Sequence, residues 1–231
     1  MTTLLRHPAS LTAILGCGLL LGIASSFAAA PAAETAGPVT DIWQTFHQRH
    51  SVRKFRPDPV PEADIRKIID AARLAPTSGN QQPWKFVVVR SREKIDQMKE
   101  AVVKGILADF DQRGGKREPR TEFEKSVRNR MAGYFSAPVY IVVLTDNRSK
   151  YPDYNHWDGP MAAAYLMLAA RALGYGTVFI TDSIPDSVTT EVLHIPDCYT
   201  RVCITPLGVP VEWPAGSPKK PLDDFITLEG F

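Results

Sequence analysis

Two guanidinium groups, an imidazole and a hydroxyl fall within five residues in Arg49-His50-Ser51-Val52-Arg53. Arginine forks and a serine hydroxyl can surround a phosphate with charge-assisted and neutral hydrogen bonds. Taken alone, so short a cluster equally suits a solvated basic turn. A second polar cluster, Pro76-Thr77-Ser78-Gly79-Asn80-Gln81-Gln82-Pro83, packs amides and hydroxyls between two prolines just ahead of Trp84. Primary amides offer paired donors and acceptors, which suits a ring edge that alternates carbonyls with ring nitrogens. Turn capping is the competing use of Asn80 and Gln82, and core packing is the use expected of Trp84.

Both clusters need elements to hold them. Asp41 can cap a helix in which Ile42, Trp43, Phe46 and the stem of Arg49 recur at helical spacing, ending at the first cluster. Pro61 to Asp64 open a second helix with an apolar stripe of Ile65, Ile68, Ile69, Ala72 and Leu74, stopped by Pro76 and Gly79. Phe86 to Val89 and Val139 to Leu144 read as buried strands. Between them a helix is predicted over Ile95 to Phe110, followed by a mobile loop or lid from Asp111 to Thr121, where Gly114 and Gly115 adjoin. Met161 to Leu173 predict a helix apolar nearly all round, placed at the centre of the domain or at a subunit interface. Gly174 and Gly176 pass the chain to a third strand, Thr177 to Ile180; Val202 to Leu207 give a fourth, before a proline-rich tail. Such an order fits an α+β domain, a mixed sheet with helices on both faces, better than a dinucleotide-binding fold.

With 231 residues and 44% apolar content, the chain has material for one sizeable core. Its 27 Lys and Arg against 25 Asp and Glu imply no broad nucleic-acid surface, so anion recognition must be local. Residues 1–30 have the layout of a secretory signal peptide: Arg6 and His7, an apolar run from Leu11 to Phe27, then Ala28 to Ala30. Residues 31–40 read as a linker and 41–231 as the folded domain, periplasmic or secreted, with no stable membrane partner once the leader is removed. Cys198 and Cys203 are expected to point to opposite faces of a strand-like segment and to remain unpaired. No histidine shows metal-ligand spacing, and no nucleophile elbow supports a hydrolase.

Arg49-His50-Ser51-Val52-Arg53-Lys54-Phe55, then Ala75-Pro76-Thr77-Ser78-Gly79-Asn80-Gln81-Gln82-Pro83-Trp84, resembles the signature of the FMN-dependent nitroreductase family. Ala169 to Thr177 and Pro206 to Pro210 are similar to the family's later landmarks in the same order. The resemblance covers the chain from Asp41 onward. It implies a nitroreductase-like three-layer α/β/α sandwich with a mixed, mainly antiparallel central sheet, and a homodimer in which both subunits build each flavin pocket. The implied cofactor is FMN and the implied electron donor NAD(P)H, with a nitroaromatic, quinone or similar small acceptor served by ping-pong turnover. Residue by residue, Arg49, His50 and Ser51 would hold the phosphate and ribityl end, and Lys219 and Lys220 would close on the phosphate. Arg53 would approach the pyrimidine edge and stabilise negative charge there, and Asn80 and Gln82 would bind the ring's polar edge. Backbone groups at Ile180 and Thr181 would lie near the flavin's reactive nitrogen. Divergent relatives imply two alternatives, reductive dehalogenation or flavin modification, with the segment Asp111 to Phe123 choosing the acceptor. A non-catalytic flavin-binding export protein is a third.

Overall fold

The computed structural model describes residues 37–114 and 119–230, so the leader and residues 31–36 of the linker lie outside the described residues. At its centre runs β2 (Val139–Asp146), whose VYIVVLTD sequence is buried along almost its whole length. An uninterrupted apolar run of this kind suits a strand covered on both faces. It pairs antiparallel with β1 (Trp84–Val89) on one side and β3 (Tyr199–Leu207) on the other. Alternation along β2 then divides the core. Tyr140, Val142 and Leu144 face one apolar cluster, and Val139, Ile141 and Val143 face the other.

The first cluster is roofed by α3 (Arg92–Gln112), α4 (Arg120–Tyr134) and α6 (Asp186–Leu193), through Ile95, Met98, Val127, Met131 and Val188. The second is roofed by α2 (Glu62–Ala72) and α5 (Asn155–Ala172), through Ile65, Ile68, Ala163, Leu166 and Ala170. Together these layers make the α+β three-layer sandwich that the sequence implies. A short helix, α1 (Ile42–Gln48), precedes them, capped by the Asp41 carboxylate at 2.8 Å from the Gln44 amide.

Several elements differ from the sequence reading. The segment from Thr177 to Ile180 is not a full strand; Gly176 and Ile180 make isolated antiparallel bridges to Gly208 and Ile204, and Thr177 a parallel one to Ser51. The segment predicted as a loop from Asp111 to Thr121 is shortened at both ends by α3 and α4, leaving residues 115–118 outside the described residues. Polar α4 was missed because only Val127 and Met131 of its fifteen residues are buried. It is supported instead by an i, i+4 ladder, Arg120 to Glu124 at 2.7 Å and Glu124 to Arg128 at 2.8 Å. Helix α5 starts six residues before the predicted Met161. On α1, the apolar Ile42, Trp43 and Phe46 face outward, and only Thr45 is buried.

Cys198 and Cys203 are unpaired, and burial pushes the Cys203 thiol up to about 12. Among the described residues, no helix is long and apolar enough to cross a membrane.

Candidate functional site

Residues 51–56 run extended between two neighbours. On one side the Val52 amide donates to the Thr177 carbonyl at 3.0 Å; on the other, the Arg56 amide donates to Val209 at 2.8 Å and the Val211 amide to Lys54 at 3.2 Å. Gly176 permits the first approach, because a Cβ there would come within 2.8 Å of Val52. The second pairing aims the C-terminal segment back across the end of α1. There Gly216 lies against the His50 ring so closely that an added Cβ would stand 2.8 Å from its Cε1.

The ends of the folded chain thus meet at His50. Its imidazole is driven below its ordinary value first by burial, then by Arg49, Lys219 and Arg171. Every charge in that account is a cation. The structure therefore brings Arg49, His50 and Lys219 together, with Ser51 the next residue along. Exposed Lys220 follows Lys219. Arg53 is exposed, its Nη1 donating to the Ser51 carbonyl at 3.3 Å.

Sequence reading did not single out Arg171, which is 3% exposed and donates to Gln48 Oε1 at 2.5 Å. A lone arginine in an otherwise alanine-rich helix was the available signal, since such residues are rarely buried without a task.

Asn80 and Gln82 occupy a turn whose backbone is left-handed at three positions: Gly79 at φ 56°, Asn80 at φ 54° and Gln82 at φ 49°. Non-glycine residues adopt this region at a cost and need surrounding contacts to hold them there. Those contacts come from α5. Asp158, 5% exposed, accepts from the Ser78 amide at 3.1 Å and from Gln81 Nε2 at 2.7 Å. Gln81 also accepts from the Tyr151 amide at 2.7 Å. Gln82 Nε2 donates to Asn80 Oδ1 at 3.2 Å, and both side chains are exposed. Gln81 and Asp158 were not singled out in the sequence, because neighbouring glutamines look alike until the turn's geometry turns one inward.

The two clusters are not brought together within one chain. Asp158 anchors the amide turn near the start of α5 and Arg171 the cation cluster near its end, about 20 Å apart along the helix axis. At the third expected position, the Ile180 amide and carbonyl are both paired with Ile204, at 3.1 and 3.0 Å. The Thr181 carbonyl accepts from Arg201 at 2.8 Å. The Ile180 amide is therefore already engaged within the chain. A groove of about 770 Å³ between α2 and β1, lined in part by Ile65, Arg73 and Arg90, includes no residue of these three positions. Among the described residues, no group of His, Cys, Asp and Glu could hold a metal ion.

The layered α+β architecture sets the fold class, and comparison with known proteins gives it a family. Residues 47–209 match the model of the nitroreductase family, and the chain belongs to that family. It is 32% identical over 170 residues to a protein of Archaeoglobus fulgidus that carries the provisional name NADH dehydrogenase/NAD(P)H nitroreductase, covering 71% of this chain and 82% of the relative. It is 26% identical to the iodotyrosine deiodinase of Thermotoga neapolitana, over 80% of this chain and 95% of that one. A crystal structure of oxidized iodotyrosine deiodinase bound to FMN and 3-iodo-L-tyrosine superposes with a TM-score of 0.67 at 22% identity. That match covers 83% of this chain and all of the other, and it shows the shared fold.

Proposed function

We propose that this protein is an FMN-dependent oxidoreductase that takes electrons from NAD(P)H and passes them to a small acceptor such as a nitroaromatic or quinone, working as a homodimer. The observation that carries the reading is the approach of the C-terminal segment to the end of α1, where Gly216 abuts the His50 ring three residues before Lys219, and the charges that lower His50 are those of Arg49, Lys219 and Arg171. Cationic forks, a nearby hydroxyl and no opposing carboxylate among those charges fit a phosphomonoester dianion. Bound FMN would supply the electron transfer, receiving from the nicotinamide and giving to the acceptor in alternate occupancy of one pocket.

The remaining roles belong to the chain. Arg49, His50, Ser51 and Lys219 hold the phosphate, with Lys220 beside them. Arg53 supplies a fixed cation at the pyrimidine edge, where it favours negative charge. Asn80 and Gln82 reach the ring's polar edge from a second copy, which accounts for their place at the far end of α5. Support for the second copy comes from α5 itself. Trp157, Met161 and Tyr165 form an exposed stripe at helical spacing, continued by Tyr154 just before the helix, with Trp157 59% exposed.

The test is spectroscopic. Purified protein reconstituted with FMN should retain a flavin absorbance band through desalting, lose it on anaerobic addition of NADPH or NADH, and regain it on adding a quinone. A colourless protein with no oxidation of either donor would sink the reading. The likeness to an iodotyrosine deiodinase favours a second reading on the same cofactor, reductive dehalogenation. Halide release from a halogenated phenol, without quinone reduction, would select it. From the leader pattern at residues 1–30 we further propose export; N-terminal sequencing of the mature protein should begin near residue 31, and a chain beginning at Met1 would contradict it.

A further inference from the structure

We infer that Arg171 is a positioning residue for the phosphate site: its buried guanidinium clamps the end of α1 to the C-terminal segment, so that Arg49, His50 and Lys219 stand together before a ligand arrives. The inference rests on the FMN reading above and adds a residue to it that makes no contact with the ligand.

Among the described residues, three separate stretches of chain meet on this side chain. Nη2 donates to Gln48 Oε1 at 2.5 Å, and Gln48 immediately precedes Arg49. Nη1 donates to the Gly37 carbonyl at 3.3 Å, tying down the start of the described chain, while the neighbouring Ala172 carbonyl accepts from the Val39 amide at 2.9 Å. The guanidinium plane lies over the Trp213 ring, 4.2 Å from its centroid. Trp213 is three residues before Gly216, which abuts the His50 ring, and six before Lys219.

Only a planar, forked cation can stack on an indole face and donate in its own plane at the same time. The arginine sits in the last turn of α5, which spans the domain and packs against α2, so the clamp is fixed to a rigid element. Without it, the end of α1 and the C-terminal segment would be left, among the described residues, with the 51–56 pairing, several residues from the cations that must converge, and the Gly216–His50 contact, which offers no hydrogen bond to fix their relative position. A misplacement of about 1 Å in such a donor set is enough to cost about a hundredfold in function.

Because the clamp serves the phosphate end and not the ring, its signature is a change in selectivity between FMN and riboflavin. Apo protein would be titrated with each flavin for the wild type, Arg171→Met, Gln48→Leu and the double variant. The wild type should prefer FMN strongly. Each single variant should lose about tenfold of that preference with riboflavin affinity unchanged, and the double variant should lose no more than the larger single loss, since both substitutions break one clamp. An unchanged FMN-to-riboflavin ratio in the single variants, equal weakening of both flavins, or fully additive losses would overturn the inference. If Arg171→Met does not fold, Gln48→Leu alone decides by the same ratio. A folded wild type that binds neither flavin would overturn the FMN reading, and this inference with it.

Discussion

His50 connects the site to a measurable pH dependence. Burial and the surrounding cations hold its imidazole below the ordinary value of about 6.5 in the folded chain. On acidification the unfolded chain therefore takes up the proton first, so the stability present above pH 6.5 is lost as pH falls through the folded value. Melting curves of apo protein between pH 7.5 and 5 should fall more steeply for the wild type than for His50→Gln. Parallel curves would show that His50 is not held in its neutral form. Arg49, His50 and Ser51 form a cluster visible in the sequence because they adjoin. Lys219 was legible only through the family resemblance, since nothing in a lysine pair near a C-terminus says where it folds back to. Arg171, Gln81 and Asp158 were not legible in their roles. Each acts by holding another group, and a holding contact between residues 77 and 123 positions apart leaves no local pattern.

Among the elements, the C-terminal segment is placed by close approach. Gly216→Val would push the segment or the His50 ring aside, carrying Lys219 out of position. FMN binding should weaken by about tenfold, or roughly 1.4 kcal/mol, with little change in riboflavin binding. Wild-type affinity for FMN would refute the contact's importance. The amide turn gives the opposite signature. Asp158→Ala leaves the half-buried Ser78 amide without its acceptor, removes the shortest of the hydrogen bonds that Gln81 Nε2 donates and loosens a left-handed turn, at a cost of about 2–3 kcal/mol. Thermal unfolding should record that loss, and titration should show FMN and riboflavin weakened alike; an effect on FMN alone would place the turn at the phosphate. The strands β1 and β2 and the helices α2 and α3 were readable from periodicity or apolar runs. Helix α4 was not, since its stability comes from charge ladders and two buried side chains, a composition that reads as a loop beside Gly114 and Gly115. The stretch after Gly176 has strand composition yet makes only scattered bridges. Composition reports burial there, but pairing depends on where β3 runs.

For the whole molecule, the separation of the two clusters along α5 is the central fact. One chain carries a cation cluster and, about 20 Å away along α5, an anchored amide turn, and under the proposed function a complete flavin pocket would take one from each of two copies. Helix α5 packs on β2, β3, α1 and α2 and leaves Trp157, Met161 and Tyr165 exposed, and these residues are the surface proposed for the second copy. Trp157→Glu, at a site already exposed, should leave the fold intact by circular dichroism, convert a dimer to a monomer in size-exclusion light scattering, and abolish retention of FMN. A wild-type monomer that binds FMN fully would refute the shared pocket.

The account is tested most directly by a crystal structure of the protein reconstituted with FMN. It should place the phosphate within hydrogen-bonding distance of Arg49, Ser51 and Lys219 of one subunit, with Asn80 of the other at the ring's polar edge. A phosphate held anywhere else, or a ring enclosed entirely by the chain that binds its phosphate, would contradict it.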